Sequence, residues 1–253
     1  MTLRTWNRWA VLVFLLGPFA AAQDITVAAA SDLQFAMPEI TGLFQKNTGK
    51  SMKVVYGSSG NFFQQIQSGA PFDLFFSADL EYANKLVAAG LAEPGSLYQY
   101  ATGKIVIWVS ADSKVDLEGG LTALADPAVR KVAIANPEHA PYGQAAVAAL
   151  KKEHLYGTVA DKLVLGENIS QAASFVVSGA ADAGIVALSL ALSPAMKGKG
   201  RHVEIPSADY PAIEQGCLML KSSLNKVVAR AFLDFVKTPP VAEILRRYGF
   251  GVP

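Results

Sequence analysis

Short apolar runs and longer amphipathic segments alternate along almost the whole chain from Ile25 onward. The apolar runs are roughly four to eight residues long and rich in Val, Ile and Ala, which is typical of strands buried in a parallel sheet. Between these runs, apolar residues recur at spacings of three or four, as they do on one face of a helix. The alternation predicts an α/β protein in which helices flank mostly parallel sheets.

The periodicity also sets the expected bounds of the elements. Strands are predicted at residues 25–30, 52–56, 73–76, 105–109, 131–135, 163–165, 183–186 and 216–220. Helices are predicted near residues 33–47, 61–68, 80–89, 142–154, 169–178, 224–236 and 240–248. Gly49 supplies a stop for the first helix, because glycine readily adopts the left-handed conformation at a helix end.

Two of these strands are predicted to connect two lobes. Residues 105–109 follow a loop rich in Gly, Tyr and Ser, and residues 216–220 offer a return path. We therefore expect residues 23–104 and 218–253 to form lobe I, and residues 105–217 to form lobe II. Lobes joined by two crossing segments form a hinged cleft.

The first residues have the pattern of an export signal. Arg4 and Arg8 precede an apolar stretch at 9–19 that is too short to span a bilayer, and small residues follow at 20–22. We expect a signal peptide at residues 1–22 and a mature chain beginning at Gln23, with an uncleaved anchor as the alternative. Cleavage would release the protein into the periplasm of a bacterium with two membranes.

Composition excludes several classes of partner. The chain is 51% hydrophobic and 17% charged, with a formal net charge of +1, so it has no basic surface for nucleic acid and is too apolar for disorder. Cys217 is the only cysteine and lies in an apolar run, which predicts a buried thiol and no internal disulfide. The three histidines are far apart in sequence, and no nucleophile and base can be paired, so neither a metal centre nor an enzyme is indicated.

The candidate chemistry lies where strands give way to helices. Four such junctions carry polar or small residues: Ser31, residues 58–61, Tyr142 and Asn168–Ile169. They offer hydroxyl groups, side-chain amides or backbone N–H groups that no side chain covers. Helix N-termini carry unpaired N–H groups and partial positive charge, so several of them at one crevice would bind a small anion. Ser31 lies at an N-cap position, and a plain capping role is the alternative there.

The chain resembles the periplasmic molybdate-binding proteins of ABC-type uptake systems over nearly all of its mature length. The resemblance rests on the segments at 28–31, 69–79, 137–141, 184–186 and 247–250, of which Gly-Ala-Pro-Phe-Asp-Leu-Phe-Phe-Ser-Ala-Asp at 69–79 is the most specific. It implies a two-lobed class II periplasmic binding fold with the ligand cleft between the lobes. It also implies that a tetrahedral dianion is held by neutral donors.

Carried over position by position, the resemblance implies that Ser31, Ser59, Tyr142 and Ile169 bind the oxyanion. Molybdenum would enter only as the centre of molybdate. Many members of the family have a tyrosine directly after Gly-Ile-Val, where this chain has Ala187. We therefore expect the phenol of Tyr142 to reach the ion from another position.

Asp32 is an additional acid beside this candidate site. A carboxylate would repel a dianion, so we expect Asp32 to point away and to act on the helix N-terminus.

The predicted function is capture of molybdate, and also tungstate, by a monomer that delivers the ion to a membrane permease without a cofactor. Sulfate, phosphate or another small oxyanion is the alternative ligand, because phosphate sites often use a carboxylate such as Asp32; an exported enzyme is a more distant alternative.

Overall fold

The computed structural model describes residues 25–253, so the predicted signal peptide lies outside the described residues. The strands are β1 Ile25–Ala30, β2 Met52–Gly57, β3 Leu74–Ser77, β4 Tyr98–Gly103, β5 Ile105–Ser110, β6 Val132–Ala135, β7 Leu163–Gly166, β8 Ala183–Ala187, β9 Gly200–Glu204 and β10 Ile213–Met219. The helices are α1 Ala36–Thr48, α2 Ser59–Gln67, α3 Leu80–Ala88, α4 Pro141–Lys152, α5 Tyr156–Val159, α6 Ile169–Val177, α7 Leu188–Ala191, α8 Lys226–Val236 and α9 Pro239–Arg247.

The strands form two five-stranded sheets, one in each lobe. The first has the order β2-β1-β3-β10-β4 and the second the order β7-β6-β8-β5-β9. The predicted two-lobed α/β fold is therefore confirmed, but both sheets are mixed rather than mostly parallel. β1 pairs in parallel with β2 and β3, whereas β10 is antiparallel to both β3 and β4. In each sheet the strand that runs against the others, β10 or β5, is the one that brings the chain into that lobe.

Sheet membership places the two crossings between the lobes. β4 ends at Gly103 in the first sheet and β5 begins at Ile105 in the second, so the first crossing lies at Lys104. The second crossing was predicted too late, because all of β10 belongs to the first sheet and the chain returns within residues 205–212. β4 and β9 were missed because neither is a continuous apolar run.

Local sequence explains how several of the elements begin and end. Gly49 closes α1 with a left-handed φ of 71°. Pro141 occupies the first turn of α4, where its missing N–H costs nothing. The Asn168 side chain accepts from the Gln171 N–H at 3.1 Å and so caps α6.

Each lobe has its own apolar interior. In lobe II one core surrounds Trp108, which is 1% exposed. Lobe I has a core on each face of its sheet, one with aromatic contacts between Phe44, Phe76 and Phe232, and the other around Phe75.

Cys217 lies in β10 and is fully buried, as predicted, and burial raises the pKa of its thiol. Within residues 25–253, none of the helices combines the length and apolar character needed to cross a membrane.

Candidate functional site

A small cavity lies between the lobes, where several strands end and helices begin. The four residues predicted to bind an oxyanion all line it. The complete lining is Ala30, Ser31, Asp32, Gly57, Ser58, Ser59, Ala78, Ala140, Pro141, Tyr142 and Ile169. No lysine or arginine belongs to this lining. The tertiary structure therefore brings together residues separated by more than a hundred positions in the sequence.

Three helices direct their N-termini at the cavity. Ser59 is the first residue of α2, Ile169 is the first of α6, and Tyr142 is the second of α4. N–H groups in the first turn of a helix have no carbonyl partner within that helix. The partial positive charges of the three N-termini add to these donors, which gives the cavity a preference for anions without a formal positive charge.

Ser59 is held in an orientation suited to donation. Its side chain is buried and its Oγ accepts a hydrogen bond from the Ala78 N–H at 2.9 Å. A serine hydroxyl has one hydrogen and two lone pairs, so this bond uses a lone pair and leaves the hydrogen available. Ser59 can therefore donate to a group inside the cavity.

Ser31 joins the two lobes instead of capping a helix. It is the first residue of the short 3-10 helix Ser31–Leu33, and no side-chain cap is formed there. The predicted capping role is wrong: Ser31 Oγ accepts from the Ser170 N–H of α6 at 3.3 Å, and Ser170 Oγ donates to the Ser31 carbonyl at 2.8 Å. As in Ser59, the hydroxyl hydrogen of Ser31 remains available.

Asp32 lies beside Ser31 in the lining of the cavity. Its carboxyl is fully buried in the cavity wall. Oδ2 accepts from the Tyr142 hydroxyl at 2.9 Å and from Gln215 Nε2 at 2.7 Å. Oδ1 has no hydrogen-bond partner among the described residues.

Burial dominates the electrostatics of Asp32. Desolvation raises its pKa to about 6, although hydrogen bonds from Gln215 and Tyr142 act in the opposite direction. Gln215 was missed in the sequence because it lies between Glu214 and Gly216, ahead of the predicted strand at 216–220, and its burial is visible only in the structure. Its Nε2 also donates to the Tyr142 hydroxyl at 2.9 Å, and its Oε1 accepts from the Tyr100 hydroxyl at 2.6 Å.

This network changes what is expected of Tyr142. The hydrogen of its phenol is donated to Asp32, whereas its backbone N–H lies in the first turn of α4. We therefore expect Tyr142→Phe to bind molybdate within about threefold of the parent, because the N–H and the ring are retained. Isothermal titration calorimetry measures this affinity. A loss of tenfold or more, equivalent to about 1.4 kcal/mol, would show that the phenol turns toward the ion.

His139 holds the two lobes together at the rim of the cavity. Its Nδ1 lies 2.9 Å from Ser58 Oγ, and its carbonyl accepts from the Gly60 N–H at 2.9 Å. Its Nε2 is 3.8 Å from Glu167 Oε2, and Glu167 also accepts from the Asn61 side chain. The contacts with Ser58 and Gly60 cross the cleft between the lobes.

Two other expectations can be compared with the described residues. Ala187 is buried at the end of β8 and does not belong to the cavity lining. Among residues 25–253, no group of three or more His, Cys, Asp or Glu side chains could hold a metal ion. The chemistry of the cavity is therefore that of hydrogen-bond donors around one buried carboxyl.

Comparisons with known proteins identify the family and the fold of the chain. Residues 25–251 match the family model described as bacterial extracellular solute-binding protein. The molybdate-binding protein ModA of Rhodobacter capsulatus is 39% identical over 249 residues, 98% of this chain and 96% of that protein. ModA of Azotobacter vinelandii is 37% identical over 94% of each chain. The solved structure of the periplasmic molybdate-binding protein of Azotobacter vinelandii superposes with a TM-score of 0.86 at 36% identity, covering 91% of this chain and 100% of that one.

Proposed function

We propose that this chain, which belongs to the family of bacterial extracellular solute-binding proteins, captures molybdate in the cleft between its lobes and delivers it to an ABC permease. The observation that carries the proposal is the donor set of the cavity. Two serine hydroxyls lie at it together with Ser59, Tyr142 and Ile169, whose backbone N–H groups stand at the starts of three helices, and no cationic side chain lines it. The ligand-binding residues are Ser31, Ser59, Tyr142 and Ile169, which contact oxygen atoms of the ion rather than its metal.

Neutral donors suit a protein that must release its ligand. Several hydrogen bonds to a dianion are individually strong because one partner is charged. They nevertheless need both lobes at once, so opening the cleft weakens binding in a single motion. The protein changes no bond in the ion, and the proposal includes no cofactor.

The choice among oxyanions follows from size and protonation. Molybdate and tungstate are tetrahedral dianions of nearly equal size, so we infer that both bind. Sulfate is smaller, and a cavity fitted to the larger ions leaves some donors beyond its reach. The names of the similar proteins support molybdate as the ligand. We place the mature protein in the periplasm as a monomer, consistent with the predicted signal peptide and with the periplasmic relative.

Thermal unfolding of the mature protein with different oxyanions tests the proposal. A ligand present at a hundredfold excess over its dissociation constant stabilises the folded state by about 2.7 kcal/mol, which corresponds to roughly 5–10 °C for a chain of this length. We expect molybdate and tungstate to produce such shifts and equal concentrations of sulfate and phosphate to produce little. A largest shift with phosphate, and none with molybdate, would reject the assignment.

A further inference from the structure

The buried carboxyl of Asp32 is the one acidic group in the lining of a cavity otherwise equipped with donors. Molybdate carries no proton over the neutral range, so its oxygens accept hydrogen bonds and cannot donate them. An ionised Asp32 is also an acceptor only. Two acceptors facing each other, both negatively charged, repel in a site with little water. The carboxyl and the dianion are compatible when a proton lies between them.

The hydrogen bonds of Asp32 show which oxygen would carry that proton. Oδ2 accepts from both Tyr142 and Gln215, which is the bonding pattern of the carbonyl oxygen of a neutral carboxyl. Oδ1 is buried and has no hydrogen-bond partner among the described residues. A buried polar atom without a partner is costly, and a hydroxyl at Oδ1 would gain an acceptor when an oxyanion enters.

We propose that Asp32 is neutral in the ion-bound protein and that its Oδ1–H donates to the bound molybdate, so that each ion binds together with one proton. The inference rests on the proposed function. The proton comes from solvent, is held on Oδ1 while the ion is bound, and returns to solvent when the ion leaves. Asp32 thereby contributes a further donor and selects for ions that bring no proton of their own.

The groups around Asp32 do not supply an alternative positive charge. From α4 and β4 it faces Tyr142 and Tyr100, phenols whose pKa burial raises. Gln215 of β10 and Ser189 of α7, whose Oγ donates to the Asp32 carbonyl at 2.8 Å, are neutral. Ser170 of α6, which bonds to the neighbouring Ser31, is neutral, and so are Ser58 and Ser59, which share the cavity lining with Asp32. His139 lies beyond Ser58 at the cavity rim.

In the ion-free protein, burial already favours the neutral form of the Asp32 carboxyl, since it raises the pKa of Asp32 to about 6. If only the protonated form binds molybdate, affinity should fall about tenfold for each pH unit above that value, by linkage. Near pH 5 the carboxyl is already mostly protonated, so binding should take up little further proton. Near pH 7.5 it should take up roughly one proton per ion.

Asp32→Asn provides the decisive variant. Asparagine has nearly the same shape as a neutral Asp, keeps an oxygen for Tyr142 and Gln215, and places an N–H donor at the position of Oδ1. We expect it to bind molybdate at pH 8 at least as tightly as the parent does at pH 6. Its affinity should change less than threefold between pH 6 and pH 8, and its proton uptake should be close to zero.

Calorimetric titration with molybdate, repeated in buffers of different ionisation enthalpy, measures both affinity and proton uptake. Asp79→Asn is a matched control: its carboxyl also has a pKa raised by burial, and it caps α3 outside the cavity lining. That control should keep the proton uptake of the parent.

Each other outcome has a definite meaning. Loss of molybdate binding in Asp32→Asn would overturn the proposal, because it would show that the ionised carboxylate is needed. Proton uptake that persists in Asp32→Asn would assign the proton to another group, such as His139, and would also overturn the proposal. A parent that binds molybdate without uptake or pH dependence would reject the role of Asp32 and leave the proposed function intact. Failure of both proteins to bind molybdate at any pH would reject the function itself.

Discussion

Ser59→Ala is expected to weaken molybdate binding by about ten- to a hundredfold. The substitution removes a hydroxyl that Ala78 orients toward the cavity, and a hydrogen bond to a charged partner contributes roughly 1.5–3 kcal/mol. It also leaves the buried Ala78 N–H without its acceptor, which should lower the free energy of unfolding by about 1–2 kcal/mol. Titration calorimetry gives the first quantity and denaturant unfolding of the ion-free protein gives the second.

Ser96→Ala separates the two effects. Ser96 is likewise buried in lobe I, and its Oγ accepts from the Met219 N–H at 3.2 Å, but it lies outside the cavity lining. We expect a similar loss of stability with unchanged affinity. If Ser59→Ala lost no more affinity than Ser96→Ala, the hydroxyl of Ser59 would be structural and the donor set would have to be reassigned.

The second large effect is expected from Gly60→Ala, which removes no donor. Gly60 lies in the first turn of α2 and its N–H contacts the His139 carbonyl of lobe II. A Cβ at this position would lie 2.7 Å from that carbonyl oxygen and 2.9 Å from His139 Cβ. These contacts are too close to persist, so the methyl group should hold the lobes apart. Donors from both lobes would then fail to reach one ion.

We expect Gly60→Ala to reduce molybdate affinity at least tenfold while leaving the melting temperature of the ion-free protein unchanged or slightly raised. Alanine favours a helix over glycine by up to about 1 kcal/mol, which offsets the small shift required of the Tyr82 hydroxyl, 2.9 Å from the added Cβ within lobe I. Small-angle scattering should show that the contraction on adding molybdate is smaller than in the parent.

Gly42→Ala is the matched control for this variant. Gly42 is an exposed helical glycine in α1, and a Cβ there would meet no atom within 4 Å. The Gly42→Ala variant should therefore bind molybdate with the affinity of the parent. Parental affinity and full contraction in Gly60→Ala would contradict the idea that this contact forms on closure.

The local rules of sequence predicted most of the elements because periodicity and capping act over a few residues. The bounds predicted for β1 agree with the structure, and Gly49 ends α1 as expected. The strand β4 and the position of the second crossing were not predicted correctly. Both depend on which sheet a strand joins, and that choice is made by pairing with distant residues rather than by the strand itself.

For the candidate site, the sequence by itself determined which residues could meet: hydroxyls and bare backbone at the junctions where strands lead into helices. The tertiary structure decided how they are used. In the structure Ser31 contacts α6 instead of capping a helix, and the phenol of Tyr142 donates its hydrogen bond to Asp32. The tertiary structure also placed Asp32 in the cavity wall with one oxygen unpaired. These outcomes depend on hydrogen bonds between residues more than a hundred positions apart, which only packing of one lobe against the other creates.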